Sequence, residues 1–246
     1  MQLIFDFPVT PNYTFATFVT CRGNDVAVNF ARRVMDPVSG ENLLFLHGPE
    51  GSGKTHLLTA IGNAVGDRDG WDVPVFPVQS LTPGSLESIG EQARHLPLLL
   101  LDDLHLIRDD DRVRIAIWQL FNDFYTSGRK IVVTAAAPPK ELPHLDGHLV
   151  SRLLWGLVAR LDISDDDSRR MIMGKLAADR QIVLPAEVID YLLVHVQRDI
   201  PALTAALEQI KRLSFATQRK ISLKLAREAL SLHLSLIHIS EPTRPY

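Results

Sequence analysis

The stretch GPEGSGKT, residues Gly48–Thr55, fits the phosphate-binding pattern G-x-x-x-x-G-K-[ST] at every fixed position. The apolar run Leu43–His47 before it predicts a buried strand, and a helical pattern starts at His56 after it. In such a turn, glycines let backbone N–H groups converge on phosphate oxygens, and the helix N-terminus adds partial positive charge. The stretch therefore predicts a domain that binds a nucleoside di- or triphosphate. A glycine-rich turn without a ligand is the alternative, and the strand and helix around it disfavour that alternative.

The residues of this loop have separate predicted roles. Lys54 would contact the β- and γ-phosphates, and the Thr55 hydroxyl would bind Mg²⁺. We take the cofactor-binding set to be Gly48, Pro49, Glu50, Gly51, Ser52, Gly53, Lys54, Thr55 and His56.

A second apolar run, Leu98–Leu101, ends in two carboxylates, Asp102 and Asp103. The run is typical of a strand that is buried on both faces of a parallel sheet. Asp102 would complete the Mg²⁺ shell with Thr55, and Asp103 would orient or activate an attacking water as the catalytic carboxylate. This pattern is weak in isolation, but downstream of a phosphate loop it predicts the other half of a nucleotide site.

The composition narrows the class of protein. The chain has 246 residues, of which 46% are hydrophobic and 22% charged, enough for one sizeable domain and a smaller one. A net charge of −3 argues against sequence-specific DNA binding. The single cysteine, Cys21, allows no intrachain disulfide or cysteine metal site, which fits a reducing compartment. Apolar runs are too short to span a membrane and signal-peptide features are absent at the N-terminus, so we expect a cytoplasmic protein with no membrane partner.

The patterns along the chain divide it into four parts. Residues 1–8 form an N-terminal tail, 9–163 an α/β nucleotide-binding domain with a parallel sheet, 164–230 a small all-helical domain, and 231–246 a second tail. The α/β part has further strand patterns at Val73–Val78, Lys130–Thr134 and Leu157–Leu161. The helical part has four helical patterns: Ser168–Arg180, Ala186–Val196, Pro201–Ala216 and Leu223–Leu230. The third of them has an apolar stripe that is predicted to face inward, formed by Leu203, Ala206, Leu207, Ile210 and Leu213.

The pattern from Tyr13 to Arg33 is helical, and Asn24 or Asp25 in it is suited to capping. Val26, Phe30 and Val34 recur at fourfold spacing, which is the basis of this prediction. Two acidic runs, 109–111 and 164–167, are predicted to lie in first turns of helices, where they favour the macrodipole. In the second run Ser164 is the predicted N-cap. A metal cluster is the alternative for the first run.

The C-terminal residues depart from the helical pattern. Leucine and isoleucine alternate with period two from Leu230 to Ile239, which is a strand pattern attached to a helical domain. Leu234–Arg244 also resembles the read-through translation of a transposon adapter used in sequencing libraries. We therefore expect 231–246 to be a non-native or disordered tail.

Taken together, these motifs resemble the AAA+ family. They are the phosphate loop, the Asp102-Asp103 strand, a following strand with Thr134, and Ser151-Arg152 with Trp155-Gly156. Within that family the chain is similar to DnaA-related proteins, closest to the Hda type (regulatory inactivator of DnaA), from Gln2 to about Leu230. The resemblance implies a P-loop AAA+ domain followed by a small all-helical lid domain.

The resemblance also implies partner contacts. The N-terminal peptide with Gln2, Leu3, Phe5 and Phe7 resembles the short motif by which such proteins dock on the DNA polymerase sliding clamp; an edge strand packed on the core is the alternative. Arg152 matches the arginine that projects into the nucleotide site of a neighbouring subunit, here DnaA, and would be catalytic in trans; a surface ion pair is its alternative. A homodimer is also allowed.

Two family positions differ in this chain. The polar sensor position after the Asp-Asp strand falls in Ala135-Ala136, and the lid arginine that reads the γ-phosphate aligns with Pro201. An arginine contact to that phosphate contributes roughly 10³–10⁵ in turnover. The resemblance therefore implies bound ADP or ATP with Mg²⁺, ADP being favoured, and weak or no intrinsic ATPase activity. Arg198 could replace the missing lid arginine in space.

Three functions remain open from the sequence. The first is a regulator of replication initiation that docks on the clamp and stimulates ATP hydrolysis by DnaA. The second is a self-sufficient DnaA-like ATPase, acting as a helicase loader or initiator-like factor, which Ala136 and Pro201 disfavour. The third is an interaction module in which the nucleotide is structural.

Overall fold

The computed structural model describes residues 13–197 and 199–238, with the backbone alone for 232–238. The chain folds into two compact units. The first contains the described residues up to Thr20 together with Asn24–Pro49 and Gly53–Leu161. The second contains Cys21–Gly23, Glu50–Ser52 and the described chain from Asp162 onward.

The first unit is built on a five-stranded parallel sheet. Its strands are β1 (Leu43–His47), β2 (Val75–Pro77), β3 (Leu98–Asp102), β4 (Lys130–Ala135) and β5 (Leu157–Arg160), in the order β2-β3-β4-β1-β5. The predicted α/β fold with a parallel sheet is confirmed. β2 is shorter than the predicted range, since it ends at Pro77 and a 3₁₀ turn, Val78–Ser80, follows. Proline has no N–H to donate to a strand ladder, so Pro74 and Pro77 limit β2 at the edge of the sheet.

Helices cover both faces of this sheet. They are α1 (Asp25–Met35), α2 (Lys54–Asp69), α3 (Pro83–Ala93), α4 (Asp111–Thr126) and α5 (Gly147–Leu153). Alternate residues of the central strands point into two separate apolar clusters. One cluster includes Phe45, Leu99, Ile131 and Val133 with α3 and α4, and the other includes Leu44, Leu100 and Val132 with α1 and α2. This double burial explains the unbroken apolar runs that predict the strands.

Helix α1 begins at Asp25, well after Tyr13, where the predicted helical pattern starts, and it ends at Met35. Asn24 is the N-cap residue, but its side chain does not cap the helix, because its amide Nδ2 donates to Val19 O over 2.9 Å. Val26 is 50% exposed, and the buried residues of α1 are Ala27, Val28, Ala31 and Val34. A fourfold spacing drifts round a helix of 3.6 residues per turn, so Val26 and Val34 do not share the inward face.

The described part of the second unit is helical from Asp166 onward. Its helices are α6 (Asp166–Asp179), α7 (Ala186–His195), α8 (Ile200–Thr217) and α9 (Leu223–His238). Their inward side chains form one apolar cluster, in which Leu203, Ala206, Leu207 and Ile210 are buried and Leu213 is partly buried. The stripe predicted for α8 is confirmed.

Two predictions for the starts of helices have different outcomes. Asp111 lies in the first turn of α4, and the Asp110 carboxylate caps the helix by accepting from Arg112 N, so the prediction is confirmed for these two residues, whereas Asp109 precedes the helix. Ser164 as N-cap is wrong, because the Asp165 carboxylate accepts from Ser168 N over 2.8 Å. The positive end of the helix dipole stabilises a charged carboxylate more than a neutral hydroxyl, which favours Asp165 over Ser164 as the N-cap.

The strand pattern at Leu230–Ile239 is also wrong for its described part. Residues up to His238 continue α9. Leucine is a strong helix former, and neither glycine nor proline interrupts the chain between Leu223 and His238, so local propensity favours continuation of the helix. Residues 239–246 lie outside the described chain. None of the helices in the described residues is both long and apolar enough to cross a membrane.

Candidate nucleotide-binding site

The loop between β1 and α2 depends on glycine at two positions. Gly51 and Gly53 have φ angles of 71° and 94°, in the left-handed region that glycine adopts without strain. A Cβ on Gly53 would also lie 3.2 Å from Cε2 of Phe18, which is buried against the loop. The Ser52 hydroxyl oxygen is buried and has no hydrogen-bond partner in the part of the chain that the structure describes. The loop therefore holds a shape that needs glycine and leaves a buried polar atom available to a ligand.

Lys54 lies within the curve of this loop. Its side chain is buried, and Nζ donates to the backbone oxygens of Gly48 and Pro49, both over 2.9 Å. A buried ammonium is costly unless it is surrounded by acceptors, and here the loop's own carbonyls supply them. The loop thus keeps a positive charge at its centre, where phosphate oxygens could replace the carbonyls as acceptors.

A chain of short hydrogen bonds joins α2, β3 and β4. Thr55 Oγ1 donates to Asp102 Oδ2 over 2.8 Å, and the buried Thr134 Oγ1 donates to Asp102 Oδ1 over 2.5 Å. Thr134 Oγ1 in turn accepts from the Asp103 N–H over 2.9 Å. The structure therefore brings Thr55, Asp102 and Asp103 together at the end of β3, where Thr55 bonds Asp102 directly and Thr134 connects Asp102 with the N–H of Asp103.

His105 is a neighbour of this site that the sequence interpretation missed. Asp103 is in the left-handed region (φ 56°, ψ 53°), and a 3₁₀ turn, Leu104–Leu106, follows it. His105 Nδ1 lies 3.9 Å from Asp103 Oδ1 and accepts from the Ala136 N–H over 3.2 Å. Its position two residues after the Asp-Asp pair is the only signal in the sequence that could have indicated it.

His56, which belongs to the predicted cofactor-binding set, contacts residues of the segment before α1. Its ring lies 4.7 Å from the Tyr13 ring and meets the Phe18 ring edge-on at 5.1 Å. His56 Nε2 is 3.2 Å from Thr17 Oγ1. In the described chain, this side chain attaches the segment before α1 to the start of α2.

Arg152 lies on α5 against aromatic rings of α4. Its Cζ is 4.6 Å from the Trp118 ring centre and 5.7 Å from that of Tyr125. Among the described residues, its buried Nη1 has no hydrogen-bond partner and Arg152 forms no ion pair, so the surface ion pair is excluded there. Trp155, which is 69% exposed, lies beside Tyr125 with ring centres 6.4 Å apart. The sequence did not indicate the aromatic support of this arginine.

The remaining predicted positions have three different outcomes. Gly156, after Trp155, has no room for a side chain, because a Cβ there would lie 2.5 Å from Leu43 Cγ and 2.7 Å from Leu43 O. Within the second unit, Pro201 is in the first turn of α8, and a Cβ on Gly51 would lie 2.6 Å from its Cδ. Arg198 and the N-terminal set Gln2, Leu3, Phe5 and Phe7 lie outside the described residues.

These residues fit a nucleotide with Mg²⁺. The buried Ser52 hydroxyl, the Lys54 ammonium and the N–H groups at the start of α2 match phosphate oxygens. The described residues contain no group of three or more histidine, cysteine, aspartate or glutamate side chains that could hold a metal by themselves. Mg²⁺ does not need one, because it is commonly held by one or two carboxylates, phosphates and water, so Thr55 and Asp102 suffice.

The parallel sheet with strand order β2-β3-β4-β1-β5, a phosphate loop after β1 and paired aspartates at the end of β3 define a P-loop protein of AAA+ type. Residues 9–160 match the family described as the bacterial DnaA ATPase domain, and residues 165–230 match the Hda lid domain. The chain belongs to the DnaA family, as a DnaA-related AAA+ protein with a lid of the Hda type.

Curated relatives support the same family. The chain is 33% identical over 232 residues to the chromosomal replication initiator protein DnaA of Thermoanaerobacter sp. (strain X514), covering 90% of this chain and 52% of that protein. It is 32% identical over 233 residues to DnaA of Acinetobacter baumannii, covering 90% and 50%. The chain therefore spans about half the length of the curated relatives it matches.

Solved structures agree with this fold. Domain III of the Thermotoga maritima replication initiation protein DnaA superposes with a TM-score of 0.78 at 30% identity, covering 92% of this chain and 98% of that one. AMPPCP-bound DnaA from Aquifex aeolicus superposes with a TM-score of 0.75 at 25% identity, covering 85% and 68%. The Thermotoga maritima RuvB branch migration motor shares the fold alone, at 15% identity and a TM-score of 0.69 over 89% and 72% of the two chains.

Proposed function

We propose that this protein is an adenine-nucleotide-binding regulator of replication initiation that stimulates ATP hydrolysis by DnaA. The observation that carries the proposal is the state of Arg152. Its guanidinium rests on two aromatic rings, with a buried Nη1 that has no acceptor and no carboxylate partner within the described chain. A guanidinium in this state is suited to bind an anion brought by another molecule, such as the terminal phosphate of ATP held by DnaA.

The nucleotide of the protein itself would be held by the phosphate loop. Lys54 and the N–H groups of the loop would bind the phosphates, and Thr55 and Asp102 would hold Mg²⁺. The relative from Aquifex aeolicus carries AMPPCP, which supports an adenine nucleotide here. ADP is the favoured ligand, because Ala136 and Pro201 provide no polar side chain toward a third phosphate.

Docking on the sliding clamp would use the N-terminal peptide. Gln2, Leu3, Phe5 and Phe7 have the polar and apolar spacing of an extended peptide that places alternate side chains in a groove. This part of the proposal rests on the sequence alone. Clamp docking would concentrate the protein near DNA and near DnaA.

The test is the rate at which DnaA-bound ATP is hydrolysed in the presence of clamp, DNA and this protein. Wild type should accelerate the loss of ATP, and Arg152→Ala should abolish the acceleration. Arg33→Ala is the matched control, because Arg33 is an exposed arginine of the same unit that pairs with Glu41. Equal rates for wild type and Arg152→Ala would overturn the role of Arg152 in trans.

A second function, a self-sufficient AAA+ ATPase, is favoured by the hydrogen-bonded set Thr55, Asp102, Thr134 and Asp103. It requires turnover by the isolated protein that Lys54→Ala removes. If Lys54→Ala only lowers the melting temperature and Arg152→Ala changes nothing, the protein is an interaction module with a structural nucleotide. The identity of the nucleotide that co-purifies with the protein is the first observation that helps to choose between these functions.

A further inference from the structure

The His105 side chain lies beside the end of β4, where the strand itself has no polar side chain. The left-handed Asp103 and the 3₁₀ turn after it reverse the chain, so that His105 returns to the end of β4. There His105 Nδ1 accepts from the Ala136 N–H over 3.2 Å. The side chains of Ala135 and Ala136 are methyl groups, so the polar group at this end of β4 is the imidazole of His105.

Backbone contacts connect His105 to the phosphate loop. In the register of the sheet, Ala135 pairs with His47, the residue before Gly48. Gly48 N donates to Ala135 O over 3.2 Å, and Gly48 O accepts from Lys54 Nζ over 2.9 Å. His105 is therefore bonded to Ala136, and the neighbouring Ala135 is bonded to Gly48, the first glycine of the loop.

The hydrogen bond to Ala136 determines the role of each ring nitrogen. A backbone N–H is always a donor, so Nδ1 must be the acceptor and the neutral ring carries its proton on Nε2. The side chain is 25% exposed, so the ring is partly accessible from outside the protein. Nε2–H is then a donor held in a fixed orientation by a backbone contact.

We propose, on the basis of the nucleotide binding proposed above, that the His105 Nε2–H donates to the terminal phosphate of a bound triphosphate. Thr55 and Asp102 are the residues that would hold Mg²⁺, which would neutralise charge on the phosphates of the bound triphosphate. Asp103 and His105 follow Asp102 in the chain, and His105 Nδ1 lies 3.9 Å from Asp103 Oδ1.

His105 would thus distinguish ATP from ADP. A diphosphate has no oxygen at the γ position, so the contact forms with ATP alone. One hydrogen bond to a charged phosphate corresponds to about tenfold in affinity. The imidazole would offset part of the ATP affinity that Ala136 and Pro201 are expected to lose, so the proposed preference for ADP is smaller than it would be without His105.

The test is the Kd of ATP and of ADP, each with Mg²⁺, measured by calorimetry for wild type and three variants. His105→Ala removes both nitrogens, His105→Asn retains an acceptor for the Ala136 N–H, and His105→Gln retains a donor near Nε2. We expect His105→Ala and His105→Asn to weaken ATP binding by about tenfold with ADP binding unchanged, and His105→Gln to restore most of the ATP affinity.

The outcomes separate this inference from the proposed function. If wild type binds nucleotide and His105→Ala binds ATP as tightly as wild type, the inference is wrong and the proposed function stands. Wild-type affinity for ATP in His105→Asn would also overturn it, because only the contact with Ala136 would then matter. Lys54→Ala is the control for binding as a whole, and a wild type that binds neither nucleotide overturns both. If His105→Ala does not fold, the comparison of Asn with Gln decides.

Discussion

The Thr55 hydroxyl donates to Asp102 Oδ2 over 2.8 Å, which joins the first turn of α2 to the end of β3. The two residues are 47 positions apart in the chain, and their two oxygens are the ones expected to hold Mg²⁺. In this arrangement the hydroxyl proton of Thr55 gives Asp102 Oδ2 a hydrogen-bond donor. The contact therefore keeps both ligands at the same place before Mg²⁺ binds.

Removal of this hydroxyl should uncouple nucleotide binding from Mg²⁺. We expect Thr55→Ala to weaken Mg²⁺-dependent nucleotide binding by about tenfold or more, because bonds to charged groups contribute roughly 1.5–3 kcal/mol. Thr55→Ser retains the oxygen and should bind like wild type. The measurement is the nucleotide Kd with Mg²⁺ and with EDTA; an equal effect of EDTA on all three proteins would contradict a Thr55 ligand.

Thr134 should be important for stability as well as for the site. Its buried hydroxyl donates to Asp102 and accepts from the Asp103 N–H. Thr134→Val retains the shape but leaves both groups without this partner, so we expect a loss of about 1–3 kcal/mol in the free energy of unfolding. Thr134→Ser is the matched control and should lose less. Urea denaturation followed by circular dichroism compares the variants, and a Thr134→Val protein as stable as wild type would show that the network adds nothing to stability.

Arg152 should contribute little to folding. Its ring contacts are worth about 0.5–1 kcal/mol at a partly exposed site, so Arg152→Ala should change the free energy of unfolding by no more than that. Arg129 is the contrast in the same unit. Its guanidinium lies 3.7 Å from the Phe124 ring centre and donates to the carbonyl oxygens of Ala93, Arg94 and Leu96.

Arg129→Ala should therefore be clearly less stable than Arg152→Ala in a thermal melt, because it leaves partly buried carbonyl groups without these donors. If Arg152→Ala were the less stable of the two, its effect on DnaA-bound ATP could not be separated from unfolding. Arg152 would then be a structural residue.

His47 should make stability depend on pH. Burial lowers the pKa of His47 from its ordinary value of 6.5, the charge of Arg160 lowers it further, and Glu141 opposes the shift. The folded-state pKa is thus below that of the unfolded chain. As the pH falls through the unfolded-state value, the unfolded chain binds more protons, and the free energy of unfolding decreases.

We expect His47→Gln to lose less stability than wild type between about pH 7.5 and about pH 5.5, measured by urea denaturation at each pH. His148→Gln is the control, because His148 is an exposed histidine in the same unit. A pH dependence that is identical in wild type and His47→Gln would contradict the lowered pKa.

The interior strands and the loop could be read from the chain because their signals are local. Residues 43–46 are an unbroken apolar run, and they lie buried in the sheet, on β1 between β4 and β5. Gly53, a fixed position of the phosphate-binding pattern, has the left-handed backbone that glycine adopts without strain, and so does Gly51 at a variable position. The boundaries that failed are those at which two local signals compete, as at Ser164 against Asp165 and at the edge strand β2 between two prolines.

The sequence by itself determined the class of this protein, because a phosphate loop depends on adjacent residues whose backbone shape follows from glycine, lysine and threonine in a fixed order. Only the tertiary structure decided which side chains from distant parts of the chain contact one another. Thr134 reaches Asp102 because β3 and β4 are neighbours, His105 reaches Ala136 because a left-handed aspartate reverses the chain, and Arg152 rests on Trp118 because α5 packs beside α4. These contacts join residues that are distant in the chain, and no local pattern encodes them.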